Sequence, residues 1–88
     1  GTYDLGGRSL ACALPRPSYN AQEEGRVVVT ITVNPEGKVI KVDINQRTNT
    51  ASPALRAAAL DAARKAVFNK VPTLNNQTGT ITYYFKLR

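Results

Sequence analysis

Between Gly25 and Asn45 the chain alternates apolar and polar residues in two runs separated by one tight turn. In the first run Val27, Val29, Ile31 and Val33 share one face, and Val28, Thr30 and Thr32 share the other, because successive side chains of a strand point to opposite sides. Asn34-Pro35-Glu36-Gly37 is the turn. Asn can hydrogen-bond nearby backbone, Pro presets φ, and Gly accepts φ > 0 at the end. On the return, Ile40, Val42 and Ile44 are expected to face one way, with Lys41, Asp43 and Asn45 opposite. A hairpin with one apolar face needs a cover.

The spacing changes after a polar loop from Gln46 to Ala51. Ser52 before Pro53 reads as an N-cap followed by a proline in the first helical position. The pattern predicts a helix from about Pro53 to Phe68, with Leu55, Ala59, Leu60, Ala62, Ala63, Ala66 and Val67 in a stripe and Asp61, Arg64 and Lys65 opposite. Asp61 and Lys65 stand four apart in the favourable order. After a loop over residues 69–78, Ile81, Tyr83, Phe85 and Leu87 alternate with Thr80, Thr82, Tyr84 and Lys86, a strand with no proline in it.

These elements predict an α+β fold: a small two-layer sandwich with a three-stranded antiparallel sheet, β-β-α-β, in the order 2-1-3, and one main helix on one face. Before the hairpin, Gly6-Gly7 reads as a flexible break, Arg8–Leu14 as a short extended segment, and Pro15-Arg16-Pro17 as forced extended backbone. Residues 18–24 have room for one short helical turn ended by Gly25. All 88 residues fit one domain, with 1–14 as an extension and 15–88 as the core. Such a chain buries only roughly 60% of its unfolded surface, so the core is thin.

Composition mostly excludes. At 42% hydrophobic and 20% charged the chain is globular. It has no apolar run near the roughly 18 residues of a membrane span and no signal-peptide pattern. Gly1 is not a natural start, and the chain reads as a fragment of a longer protein. There is no His, which removes the commonest general base and metal ligand. The lone Cys12 makes neither a disulfide nor a thiolate metal site, and reads as a small apolar residue. The six acids form no catalytic pair. The expectation is therefore a non-enzyme with no cofactor and no metal. Twelve basic residues against six acids leave +6, but no basic run exceeds two residues, which reads as solubility and weak steering.

In the predicted order the final strand lies on an edge, long and β-prone, guarded only by Lys86 and Arg88 near its end. Such an edge invites another strand. Either a partner peptide adds to it, or another part of the chain, such as Arg8–Leu14, covers it; both hold if the partner displaces the cover.

The ordered set of segments resembles the C-terminal domain of the TonB family, from about Pro15 to Leu87. Pro17-Ser18-Tyr19 is similar to the family's Pro-x-Tyr-Pro element, with Asn20 in place of the second Pro. Glu24-Gly25 and the valine run that follows resemble its Glu-Gly-x-Val-x-Val strand, and Asn34–Val39 its Asp-Gly-x-Val turn. Leu60–Phe68 resembles its alanine-rich, basic helix, with Ala66-Val67-Phe68 replacing the usual Trp-x-aromatic end, and Thr80–Leu87 resembles its last strand. Gly6–Leu10 looks like an extra element of Bacteroidetes-type members.

The resemblance implies a periplasmic domain of a protein anchored in the Gram-negative inner membrane by a helix outside these residues. It implies that the domain binds the TonB box of an outer-membrane transporter by strand addition, and that a proton-driven ExbB–ExbD motor, reached through the anchor, powers uptake of siderophores, cobalamin or glycans. Carried over by position, the recruiting strand is Thr80, Ile81, Thr82, Tyr83, Tyr84 and Phe85. Arg16, Pro17 and Tyr19 would shape the contact. A monomer or a strand-exchanged homodimer is implied. Two other readings stay open. One is a basic nucleic-acid-binding module stacking bases on Tyr83-Tyr84, although neighbouring residues of a strand face opposite ways and no nucleic acid is expected. The other is a TonB- or TolA-like interaction domain of an envelope signalling protein.

Overall fold

In the computed structural model, which describes residues 1–19, 22–72 and 75–87, the alternation along Gly25–Val33 decides the architecture. The strands are β1 (Thr2–Asp4), β2 (Gly25–Val33), β3 (Val39–Ile44) and β4 (Gln77–Phe85), with one helix, α1 (Pro53–Arg64), between β3 and β4. They form one antiparallel sheet in the order β1-β4-β2-β3. The expected order of the hairpin and the last strand is present. The sheet has a fourth strand, however, and β4 is not at its edge.

Val27, Val29, Ile31 and Val33 of β2 and Ile81, Tyr83 and Phe85 of β4 are buried on one face, against Leu55, Ala59, Ala62 and Ala63 of α1. The alanines let the helix lie close, and each large aliphatic or aromatic side chain so buried contributes about 1.5–3 kcal/mol. Ser52 caps α1 by accepting a hydrogen bond from the Leu55 amide (3.3 Å). Lys65 reaches Asp61 at 3.1 Å.

The helix stops at Arg64, short of the expected Phe68. The chain instead turns extended, bridging Val67 to Lys38 and Phe68 to Leu10, so that Phe68 enters the core while Val67 stays 40% exposed. Gly37 makes this approach possible. It sits at φ +92°, and a Cβ there would run into the Phe68 carbonyl.

Three other expectations are corrected. Ile40 does not join Val42 and Ile44 on the core face. The pairing slips between Thr32 and Val33, from Thr32↔Lys41 to Val33↔Val39. Ile40 is the extra residue of a bulge and turns outward, 53% exposed. Residues 18, 19 and 22–24 form no helical turn; Asn20, which stands in place of the second Pro of the Pro-x-Tyr-Pro element, lies outside the described residues, as does the edge guard Arg88. Cys12 is exposed rather than an apolar packing residue. Among the described residues no helix is long and apolar enough to cross a membrane.

Candidate partner-binding edge

Strand β4 is paired with β2 over its whole length, from Gly25↔Phe85 to Val33↔Gln77. Its other side divides in two. Over Thr80, Ile81 and Thr82 it carries β1, in the register Thr2↔Thr82, Tyr3↔Ile81 and Asp4↔Thr80. Beyond Thr82 no described strand pairs with it. Of the six residues of the expected recruiting strand, Thr80, Ile81 and Thr82 therefore lie beneath β1, and Tyr83, Tyr84 and Phe85 lie past its end.

The cover comes from Thr2–Asp4, not from Arg8–Leu14. The latter segment is engaged elsewhere: Ala11 donates to the Val67 carbonyl and Asn69 to the Ser9 carbonyl, each at 2.8 Å. Gly6-Gly7 is not a loose break. Gly7 takes φ +75° and the Arg8 amide returns to the Leu5 carbonyl at 2.9 Å, closing a turn. Arg8, expected among the scattered surface charges, is buried at 4% exposure. Its guanidinium donates to the carbonyls of Asn34 (3.1 Å) and Asn69 (2.6 Å) and to the side-chain oxygens of Asn69 (3.3 Å) and Gln77 (2.9 Å). Of residues 1–14, expected as an extension, Thr2–Asp4 thus form an edge strand and Leu10 bridges to Phe68.

Past β1, the residues of the Pro-x-Tyr element arrive beside the uncovered part of β4. Arg16, Pro17, Tyr19, Tyr83, Tyr84 and Gly1 line one groove of about 280 Å³. Tyr19 packs edge-on against Phe85 (ring centroids 4.7 Å apart, planes at 85°), and its hydroxyl donates to the Lys86 carbonyl at 3.3 Å. Arg16 is exposed at the rim. Tyr83 and Tyr84 split as strand alternation requires. Tyr84 is 58% exposed and Tyr83 is buried, its hydroxyl without a hydrogen-bond partner. Burial pushes the Tyr83 phenol up to about 12. Two groups of residues separated by more than sixty positions thus meet at one place.

Residues 12–87 match the family described as Gram-negative bacterial TonB protein C-terminal. The chain belongs to the TonB C-terminal family. Domains of this family are periplasmic interaction domains rather than enzymes, and they work with outer-membrane transporters. No curated protein and no solved structure matched the chain. The matched residues take in the hairpin, α1, β4 and the Pro-x-Tyr element. Strand β1, Leu5 and Arg8 lie outside them.

Residue-by-residue reading missed the part played by Thr2–Leu5 and by Gly79. The only signal for the first is a polar-apolar alternation four residues long. The signal for the second is a glycine at the head of an otherwise unbroken β-prone run.

Proposed function

We propose that this TonB C-terminal domain is the receptor head of an inner-membrane-anchored energy transducer. It takes an extended segment of an outer-membrane transporter, the TonB box, along the β1-side edge of β4. It thereby passes work from the proton motive force, delivered through ExbB–ExbD, to active uptake. The observation that carries this reading is the meeting of Arg16, Pro17 and Tyr19 with Tyr83, Tyr84 and Phe85 at the stretch of β4 that no described strand covers. Main-chain groups of an edge give affinity to an added strand, and flanking side chains set its register. Here Arg16 offers a cation at the rim and Tyr84 a flat apolar surface beside it.

The experiment is a titration of isotopically labelled domain with synthetic TonB-box peptides. Amide shifts should appear at Gly79–Leu87 and at Arg16 and Tyr19. Arg16→Glu should weaken binding by about tenfold, the loss of one partly exposed charge contact together with its reversal. Shifts confined to the β2–β3 turn or to α1, with β4 silent, would overturn the reading. Base stacking has little to support it: with Tyr83 buried, only Tyr84 of the pair is available as a platform.

A further inference from the structure

Strand β1 occupies half of the edge assigned above to the partner, and its construction differs from that of the other strands. It is three residues long and pairs with β4 only. Thr2 and Asp4 are exposed, and Tyr3 is 37% exposed, held by an edge-on contact with Phe68 (centroids 5.5 Å apart, planes at 68°). The firm anchors come after it: Leu5 is buried, and Arg8 is clamped by four hydrogen bonds. Residues 1–4 can therefore peel away while Leu5 and Arg8 stay seated. Short, exposed elements of this kind open at the low end of the local-stability scale.

The surface beneath is made to receive a strand. Thr80, Ile81 and Thr82 are β-branched and uncharged, with nothing among them that repels an added strand. At Gly79 a Cβ would collide with the Asp4 carbonyl oxygen and lie 2.7 Å from Leu5 Cδ1. The missing side chain there serves close approach by the neighbouring chain.

We propose that Thr2–Asp4 is a replaceable cover, an internal stand-in for the partner strand. The partner displaces it and takes over its chemistry: an extended segment of alternating polar and bulky apolar residues, with an aromatic or large aliphatic side chain opposite Ile81, seated against Phe68. The cover keeps a β-prone edge from pairing indiscriminately until such a segment arrives. The proposal rests on the reading of β4 as the receptor edge, and it adds to the family pattern, since β1 lies outside the matched residues.

The test uses the whole chain in three forms: unaltered; Tyr3→Pro, which removes the contact with Phe68 and fixes φ away from strand values; and Thr2→Cys/Thr82→Cys with Cys12→Ser, which locks the cover. Directly opposed strand residues lie within disulfide range. The probe is a synthetic peptide of the cover's own sequence, Gly-Thr-Tyr-Asp-Leu-Gly, followed by amide shifts along β4. Tyr3→Pro should bind it at least about tenfold more tightly than the unaltered chain, the penalty of a cover closed about nine-tenths of the time. The oxidised locked form should not bind, and reduction should restore binding. A peptide with Ser in place of its Tyr should lose most of its affinity. Equal binding by oxidised and reduced locked protein would overturn the proposal, whether or not Tyr3→Pro folds. A TonB-box peptide separates the two readings. If it shifts β4 equally in the locked and unlocked forms, the cover is refuted and the receptor edge stands. If only the cover's own peptide binds, and does so only when the lock is open, the cover stands and the transporter reading fails.

Discussion

The hydroxyl of Tyr83 is the one buried side-chain polar atom among the described residues with no hydrogen-bond partner. The residue follows from strand alternation, which turns it into the core, yet nothing local supplies an acceptor there. The consequence is a pH dependence with a definite sign. The folded protein holds the phenolic proton to about 12, while the unfolded chain releases it near 10. The contribution is complete below pH 10. Above it the unfolded state binds fewer protons, so stability falls as pH rises from about 10 to about 12, by roughly 2–3 kcal/mol at most. Urea unfolding measured at intervals between pH 8 and 11 should show this decline, and Tyr83→Phe should flatten it. Because an unpartnered buried hydroxyl costs free energy, the same substitution should leave stability at pH 7 unchanged or raise it by up to about 1 kcal/mol.

Among the elements, the hairpin shows where periodicity stops being a guide. The alternation along β2 predicted its buried face residue by residue, and Val27, Val29, Ile31 and Val33 all face the core. The same rule failed on β3, because a single bulge at Ile40 shifts every residue before it by one position. Val39 therefore takes the inward place expected of Ile40. A paired substitution separates the two strands. Ile31→Ala should cost about 2–5 kcal/mol through lost contacts and a cavity, and Ile40→Thr should stay within about 0.5 kcal/mol of the unaltered protein, both read from denaturant midpoints. Comparable losses at the two sites would place Ile40 in the core after all. The helix shows the converse. Its start was legible because Ser52 and Pro53 act locally. Its end was not, because Ala66–Phe68 abandons helical backbone for bridges to Lys38 and Leu10, partners distant in sequence.

Across the molecule, Arg8 joins four places: its own turn, the β2–β3 turn at Asn34, the strand-like segment at Asn69 and the start of β4 at Gln77. Every acceptor is neutral, so the clamp works through donated hydrogen bonds rather than ion pairing. Arg8→Met keeps much of the packing volume and removes the donors, leaving the Asn34 and Asn69 carbonyls short of partners. It should lower stability by about 2–4 kcal/mol, a fall in Tm of at least about 8 °C for a domain of this size. Thermal unfolding followed by circular dichroism would measure it. A shift of only a degree or two would mean that water replaces the guanidinium without loss. Hydrogen exchange on the same variant should show the Thr80 and Thr82 amides losing protection first, since β1 depends on the anchors that follow it.

By itself the sequence determined what short-range physics controls: the alternating faces of β2 and β4, the Asn34–Gly37 turn, the cap of α1, and the Pro-x-Tyr element and final strand that mark the family. Tertiary structure decided which segment lies along β4, where the bulge falls, where the helix ends and why Arg8 is buried. A strand of three residues is too short to carry a readable period. Its place is set by the main-chain groups β4 leaves open, by Gly79 making room and by Phe68 receiving Tyr3. None of these is a neighbour in sequence, and only folding brings them together.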